Sequence, residues 1–299
     1  MRRLRVFAVL LLFGSLLLLS SCSLDAVAKF ANQSSQALAQ GPAILKDIEA
    51  SCIRRQLSQQ PYYGLDQAEL AAQAQANAAT SCATFSNSTP ALLVASKTLT
   101  DYFTAISQLA STGKTSAGKN ADSDKQAASK AARTPESQTL MKSAGSIIDV
   151  IGKLASEAYR DKHLQADLKK VSPDVDAVLK ALKTAGDDDY NRTLDSEQLT
   201  YERQFSVSLQ DLGAPGAGDP PQVKLIRILA KNNESSQAEI IAAKHAAAKA
   251  YGDAVDKIIS GHDALLAHSG KLDAKDVPSL IQPYTDEVSK LVPLISKVF

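Results

Sequence analysis

From Leu24 to Cys52, apolar or small residues recur in alternating steps of three and four: Leu24, Val27, Ala31, Ser34, Leu38, Gly41, Leu45, Ile48 and Cys52. At 3.6 residues per turn this spacing gathers them on one face of a helix. It does not line one face of a strand, whose side chains alternate at every second residue. The spacing returns in Leu92, Ala95, Leu99, Tyr102, Ile106 and Leu109, and again in Leu140, Ala144, Ile147, Ile148, Ile151, Leu154 and Tyr159. Val175, Val178, Leu179 and Leu182 continue it, then Tyr190, Leu194, Tyr201, Phe205 and Leu209. No strand-like alternation of any length interrupts the series. Aromatic residues make up 5% of the chain, Trp is absent and alanine is abundant, which favours helices with small, closely packed side chains. The fold class that follows is all-α, an elongated antiparallel helical bundle of about seven to nine helices.

Breakers divide these stripes. Gly41-Pro42 kinks or restarts the first. "PYYGLD" (Pro61 to Asp66) reads as a turn, with Asp66 and Glu69 as a capping box and Leu65 and Leu70 as a hydrophobic staple. The helix beyond it runs to about Phe85, and Thr89-Pro90 reads as a cap followed by the first residue of a new helix. From Ser111 to Thr139 no apolar residue exceeds alanine in size, so this stretch reads as a mobile loop or linker with a transient helix around Asp122 to Arg133. Thr134-Pro135 and Ser172-Pro173 read as helix starts, and helix resumes at about Asp187. "GAPGAGDPP" (Gly213 to Pro221) is a strong breaker. Beyond it an inward stripe of Val223, Ile226 and Ala230 continues as Ile240, Ala247, Tyr251, Val255, Ile258, His262 and Leu265. Ser236 and Glu239 could cap, dividing that stripe into two helices, and Ser269-Gly270 ends it. The last stripe holds Leu280, Ile281, Tyr284, Val288, Leu291, Ile295 and Val298, with Pro283 and Pro293 as kinks. The chain is thus organised as residues 1–21, an N-terminal helical region 22–110, the polar segment 111–139 and a C-terminal helical region 140–299. The two helical regions can also form one continuous bundle.

The first 22 residues have another character. Arg2, Arg3 and Arg5 precede an apolar run from Val6 to Leu19. That run is shorter than the roughly 20 residues a membrane span needs and matches the hydrophobic core of a secretory signal. Leu19-Ser20-Ser21-Cys22 resembles the lipobox of bacterial lipoproteins. The resemblance implies cleavage of residues 1–21, a diacylglycerol on the Cys22 thiol and acylation of the freed amine. Two or three acyl chains hold a protein firmly, at about 0.8 kcal/mol per buried methylene, so the mature chain would be anchored to a membrane without spanning it. Ser23 follows the cysteine, which in a host with two membranes suits the outer membrane better than the inner one.

Loss of residues 1–21 removes three arginines and leaves 30 basic against 32 acidic residues. That balance gives no basic excess to drive nucleic-acid binding. It also leaves Cys52 and Cys82, which outside the cytoplasm read as a structural disulfide closing a loop of about 30 residues. Two free thiols or a redox pair are the alternatives. In a simple hairpin the cysteines lie at unequal distances from the "PYYGLD" turn, a mismatch of roughly 12 Å at 1.5 Å per residue.

Motifs that carry chemistry are incomplete. Gly113-Lys114-Thr115 is the tail of a phosphate-binding loop, but the position of its first glycine is held by Gln108. Ser111/Lys114 and Ser116/Lys119 spell Ser-x-x-Lys in a segment without a rigid helix start. His163, His245, His262 and His268 form no close ligand pair, and His262 reads as a core residue on its stripe. The acidic cluster at Asp187 to Asn191 lacks the alternating ligands and central glycine of a calcium loop and reads as an exposed helix start. The sequence therefore supplies no catalytic residue, metal ligand or cofactor site.

The expected function is a lipid-anchored, non-enzymatic scaffold or interaction module of the cell envelope, with a protein partner that the residues do not name. A helical binding protein for a small apolar or lipid ligand is the alternative. Replacing Cys22 with Ala should abolish acylation and release the protein from membranes; membrane fractionation with labelled palmitate checks both.

Overall fold

The computed structural model describes residues 24–59, 68–154, 157–216, 218–267 and 276–299. Cys22 and its lipobox, the capping pair at Asp66 and Ser269-Gly270 lie outside the described residues. The molecule is an all-α helical bundle, and the described residues contain no strand. Its helices are α1 (residues 24–38), α2 (Gly41–Ser58), α3 (Ala68–Ser81), α4 (Ala83–Thr112), α5 (Ala121–Ala131), α6 (Pro135–Leu154), α7 (Glu157–Lys183), α8 (Tyr190–Asp211), α9 (Pro221–Ala267) and α10 (Val277–Ser296). Among the described residues, no helix is long and apolar enough to cross a membrane.

The first stripe is buried as its spacing requires, from Val27 through Cys52, with Leu24 alone at the surface. The chain turns at Ala39 and Gln40, just ahead of Gly41-Pro42. Ser96 Oγ of α4 donates 3.0 Å to the Leu38 carbonyl, satisfying a backbone acceptor freed where α1 ends. Cys52 and Cys82 are buried and lie at disulfide distance, their Cα atoms 6.0 Å apart. The expected mismatch does not hold them apart. Cys82 is the single residue between α3 and α4, so it sits at a break between helices.

Two proline signals read as helix starts fall inside helices. Pro90 lies within α4 and Pro173 within α7. An internal proline strands the carbonyl four residues earlier, and the cost falls when water can reach it. Pro173 and Lys169 are both exposed. The acidic cluster also differs from its reading. It belongs to a π-helical turn, Thr184–Asp189, that joins α7 to α8 without a break. The segment 111–139 is packed rather than loose. It holds a 3-10 turn, Ala117–Asn120, and α5, whose Ala128 and Ala131 are buried against the core. Lys97 to Asp124 (3.0 Å) and Lys125 to Asp149 (2.5 Å) tie α5 to α4 and α6. Apolar size is a poor guide here, because a methyl group is enough to seat a helix whose neighbours approach closely.

Helix α9 runs unbroken for 47 residues, without a division at Ser236. At 1.5 Å per residue it is about 70 Å long. Its second half is the axis of the bundle, packed by α7, α8 and α10. Small residues make that possible. A Cβ at Gly261 would stand 2.4 Å from the Phe30 ring, and one at Gly252 would stand 2.1 Å from the Asp187 carboxylate. Tyr251 is fully buried against Gly41 and Gly186 in the same way.

Gly261→Ala should therefore destabilise the protein by about 1–3 kcal/mol through overpacking against Phe30. Gly145→Ala, on a helix surface with open space around it, should stabilise it by about 0.5–1 kcal/mol. Thermal melting of the two variants checks the pair.

Candidate functional site

Beyond Glu197 on α8 and before Ile241 on α9, no described residue is buried. The end of α8 and the start of α9 leave the bundle together as a two-helix arm. About 20 residues of α9 project, or roughly 30 Å. Most half-buried residues of the arm repeat in steps of three and four: Gln198, Tyr201, Phe205 and Leu209 on α8 with Leu212 just past its end, and Val223, Arg227, Ala230, Glu234 and Gln237 on α9. That is the seam of a short antiparallel coiled pair. Tyr201 and Phe205 stack along it, with ring centroids 6.4 Å apart. At the tip, Gly213 takes φ +74°, a left-handed conformation that glycine adopts without strain. The Arg227 guanidinium donates 2.7 Å to the carbonyls of both Leu212 and Gly213, closing the end of α8.

The stripe expected to face inward here does not. Ile226 and Ile240 are exposed, and only Val223 and Ala230 reach the seam. Leu199, Val207, Leu225, Ile228 and Leu229 are exposed as well, between 51% and 66%. The periodicity marked apolar positions but could not say whether another helix covers them.

A polar network fastens the base of the arm. Arg54 of α2 donates to both oxygens of Asp47 at 3.1 Å, and through Nε to Glu197 at 2.6 Å. Glu197 is 1% exposed and also accepts from Ser51 Oγ. Lys244 of α9 donates 2.8 Å to Asp47, which accepts from the Tyr190 hydroxyl too. Two carboxylates thus meet one guanidinium and one ammonium, a balanced set joining α2, α8 and α9. Burial alone would raise the pKa of Asp47, but donors from Arg54, Lys244 and Tyr190 outweigh it and hold the carboxylate below its ordinary value. Burial and the Asp47 contact push the Tyr190 phenol up, so it stays protonated and donates. Beside this network His245 Nδ1 lies 2.7 Å from Asn191 Oδ1, and its Nε2 lies 3.4 Å from Asp195. Asn191 in turn donates 2.8 Å to Asp187, which gives the acidic cluster a packing role.

His262 is buried at the other end of the bundle, as its stripe required. Its Nε2 is 2.9 Å from the Tyr102 hydroxyl, and its ring meets Phe103 edge-on at 5.9 Å between centroids. Burial, with a contribution from the Asp176 charge, raises the pKa of Tyr102 and keeps the phenol neutral. The Asp47–Arg54–Glu197 set was missed in the sequence because its members come from helices more than 140 residues apart. Arg54 and Asp47, seven apart, are two turns along one helix, a weak signal by itself. Cys52, which meets Cys82, lies on the same helix as Ser51 and Arg54 of this network.

Comparison with protein-family models, with curated proteins and with solved structures returned no match.

Arg54→Met leaves Glu197 buried without its counter-charge and should cost about 3 kcal/mol. The double variant Arg54→Met/Glu197→Leu should recover part of that loss, which urea unfolding of the cycle measures. Because the folded pKa of Asp47 is depressed, its contribution is present above the unfolded value of about 3.9 and disappears as pH falls through the folded one. Asp47→Asn should flatten the stability profile in that acid window.

Proposed function

We propose that the protein is a lipid-anchored, non-enzymatic scaffold or interaction module of the cell envelope, and that the α8–α9 arm is its docking element for another protein. The observation that carries this reading is the arm itself. A pair of helices held rigidly at its base presents Leu199, Val207, Leu225, Ile226, Ile228 and Leu229 to solvent. Large apolar side chains exposed together on one element of a folded domain point to an interaction face.

Charge supports a protein as the occupant over a lipid surface. Arg203, Lys224, Arg227 and Lys231 are set against Glu202, Asp211, Asp219, Glu234 and Glu239 on the arm. An element that binds anionic headgroups carries a basic excess, and this one has none. Position supports it too. Ser107 Oγ donates 2.9 Å to the Ala28 carbonyl, and Phe30 packs on Gly261, so α1 starts beside the far end of α9. From Gly261 to the tip of the arm is about 60 Å along the helix. Attachment through acyl chains on Cys22 and docking through the arm would then occupy opposite ends. In a two-membrane host the anchor would be in the outer membrane, with the arm reaching into the periplasm.

The alternative of a small apolar or lipid ligand has less support. A groove of about 1030 Å³ beside the arm mixes Arg55, Gln59, Glu202 and Arg203 with Leu199 and Val207 and is open to solvent, so it does not enclose a ligand as an apolar-ligand cavity does.

A photo-crosslinking residue at Ile228 of the full-length protein in intact cells should yield a discrete protein adduct. The same residue at Ser260, on the body, should not. Leu225→Ser with Leu229→Ser should abolish the adduct while leaving stability within about 0.5 kcal/mol, since both side chains are exposed. Adducts with lipid alone, or equal yields from both positions, would reject the docking role.

A further inference from the structure

We propose that His262, Asp176 and Asp263 bind a divalent transition-metal ion that ties α7 to α9, a site independent of the arm. The three side chains offer one imidazole nitrogen and two carboxylate oxygens, and these ligand atoms all lie within 4.8 Å of one another.

The independent observation is a pair of orphaned atoms. His262 is 1% exposed, and its Nδ1 has no hydrogen-bond partner. Asp176 Oδ1 faces it at 3.9 Å, is equally inaccessible and has no hydrogen-bond partner either. Buried polar atoms without partners are rare in folded proteins, because each costs about 1–3 kcal/mol. Two that face each other across a gap too long for a hydrogen bond describe a space shaped for something else. An ion with ligand bonds of about 2.0–2.2 Å on either side spans that gap. Asp263 is exposed and adjacent in the chain, so it closes the third position from the solvent side. Water completes the shell there and gives the ion its entry.

The surroundings suit a ligating histidine. With Nδ1 on the metal, the ring proton sits on Nε2 and is donated to the Tyr102 oxygen 2.9 Å away. A histidine ligand held through its second nitrogen in this way has a fixed tautomer and ring orientation. Phe103 and Tyr102 pack edge-on against the same ring and restrict its tilt. One nitrogen and two carboxylate oxygens select borderline ions such as zinc, cobalt or manganese, and do not form the all-oxygen shell that calcium and magnesium prefer.

The test uses the full-length protein in detergent, without a histidine tag and stripped with chelator. Titration with zinc chloride should show one equivalent bound and raise the melting temperature by about 5 °C at a hundredfold excess over the dissociation constant. Cobalt should bind competitively and produce a visible absorption band. Asp176→Asn should abolish binding, and Asp263→Asn, on an exposed side chain that the fold does not need, should weaken it at least tenfold. Both variants should melt as the stripped wild type does, or higher. The proposal is overturned if the wild type binds none of these ions, which would leave the gap to a water molecule. It is also overturned if both variants retain full affinity, which would move the ion to another histidine such as His245.

Discussion

Helix α9 can be the axis of this bundle because it is thin. At its tightest crossings the side chain is missing, Gly252 against the π-turn and Gly261 against Phe30, and Ala247, Ala248 and Ala254 are buried along the same stretch. Close backbone approach brings many atoms into contact at once, and the summed dispersion compensates for the small apolar area of each residue. The arrangement also explains where the bulk has gone. Phe30 and Tyr251 are among the largest fully buried side chains; Phe30 fills the space that Gly261 opens, and Tyr251 fills the spaces beside Gly41 and Gly186. A chain poor in aromatic residues can thus hold a packed interior, provided each large side chain is matched to a missing one.

Polar groups occupy the two ends of this axis, and they answer different problems. At the arm's base, three helices must be held where one pair is about to leave the core and lose apolar contact. Arg54 bridges two carboxylates with a planar group whose donors are arranged in a fork, so it fixes direction as well as distance. At the opposite end Tyr102, Asp176 and His262 meet from three helices, and there the hydrogen bonding is incomplete. The contrast between a saturated network and an unsaturated one separates a fastening from a site able to accept a ligand.

Much of the bundle was legible in the sequence, because burial on a helix obeys a period. The stripes of α1, α2, α4, α6 and the second half of α9 are inward as read, and the breaker between α8 and α9 is where it was expected. The misses share a physical cause. Pro90 and Pro173 are punctuation only if their freed carbonyls have no other recourse, and local sequence does not say whether water is at hand. Residues 111–139 looked incapable of packing because alanine was judged by its own area and not by the closeness of its neighbours. The exposed isoleucines of α9 followed the period faithfully, yet a period specifies a face and never its covering. The polar clusters were hidden for a further reason: Glu197 reaches Arg54, and Tyr102 reaches His262, only through tertiary structure.

The continuity of α9 has a mechanical consequence. The helix that forms the projecting arm is the same rod that lies beside α7 at His262, with no flexible joint between them. A sideways load on the tip therefore acts as a torque about the point where the rod enters the bundle. Lys244 and its carboxylate partner stand at that fulcrum, and α10, packed along the inner half of the rod, is the counterweight. Such a lever delivers displacement at one end as strain at the other, so the two ends of this molecule are not mechanically separate.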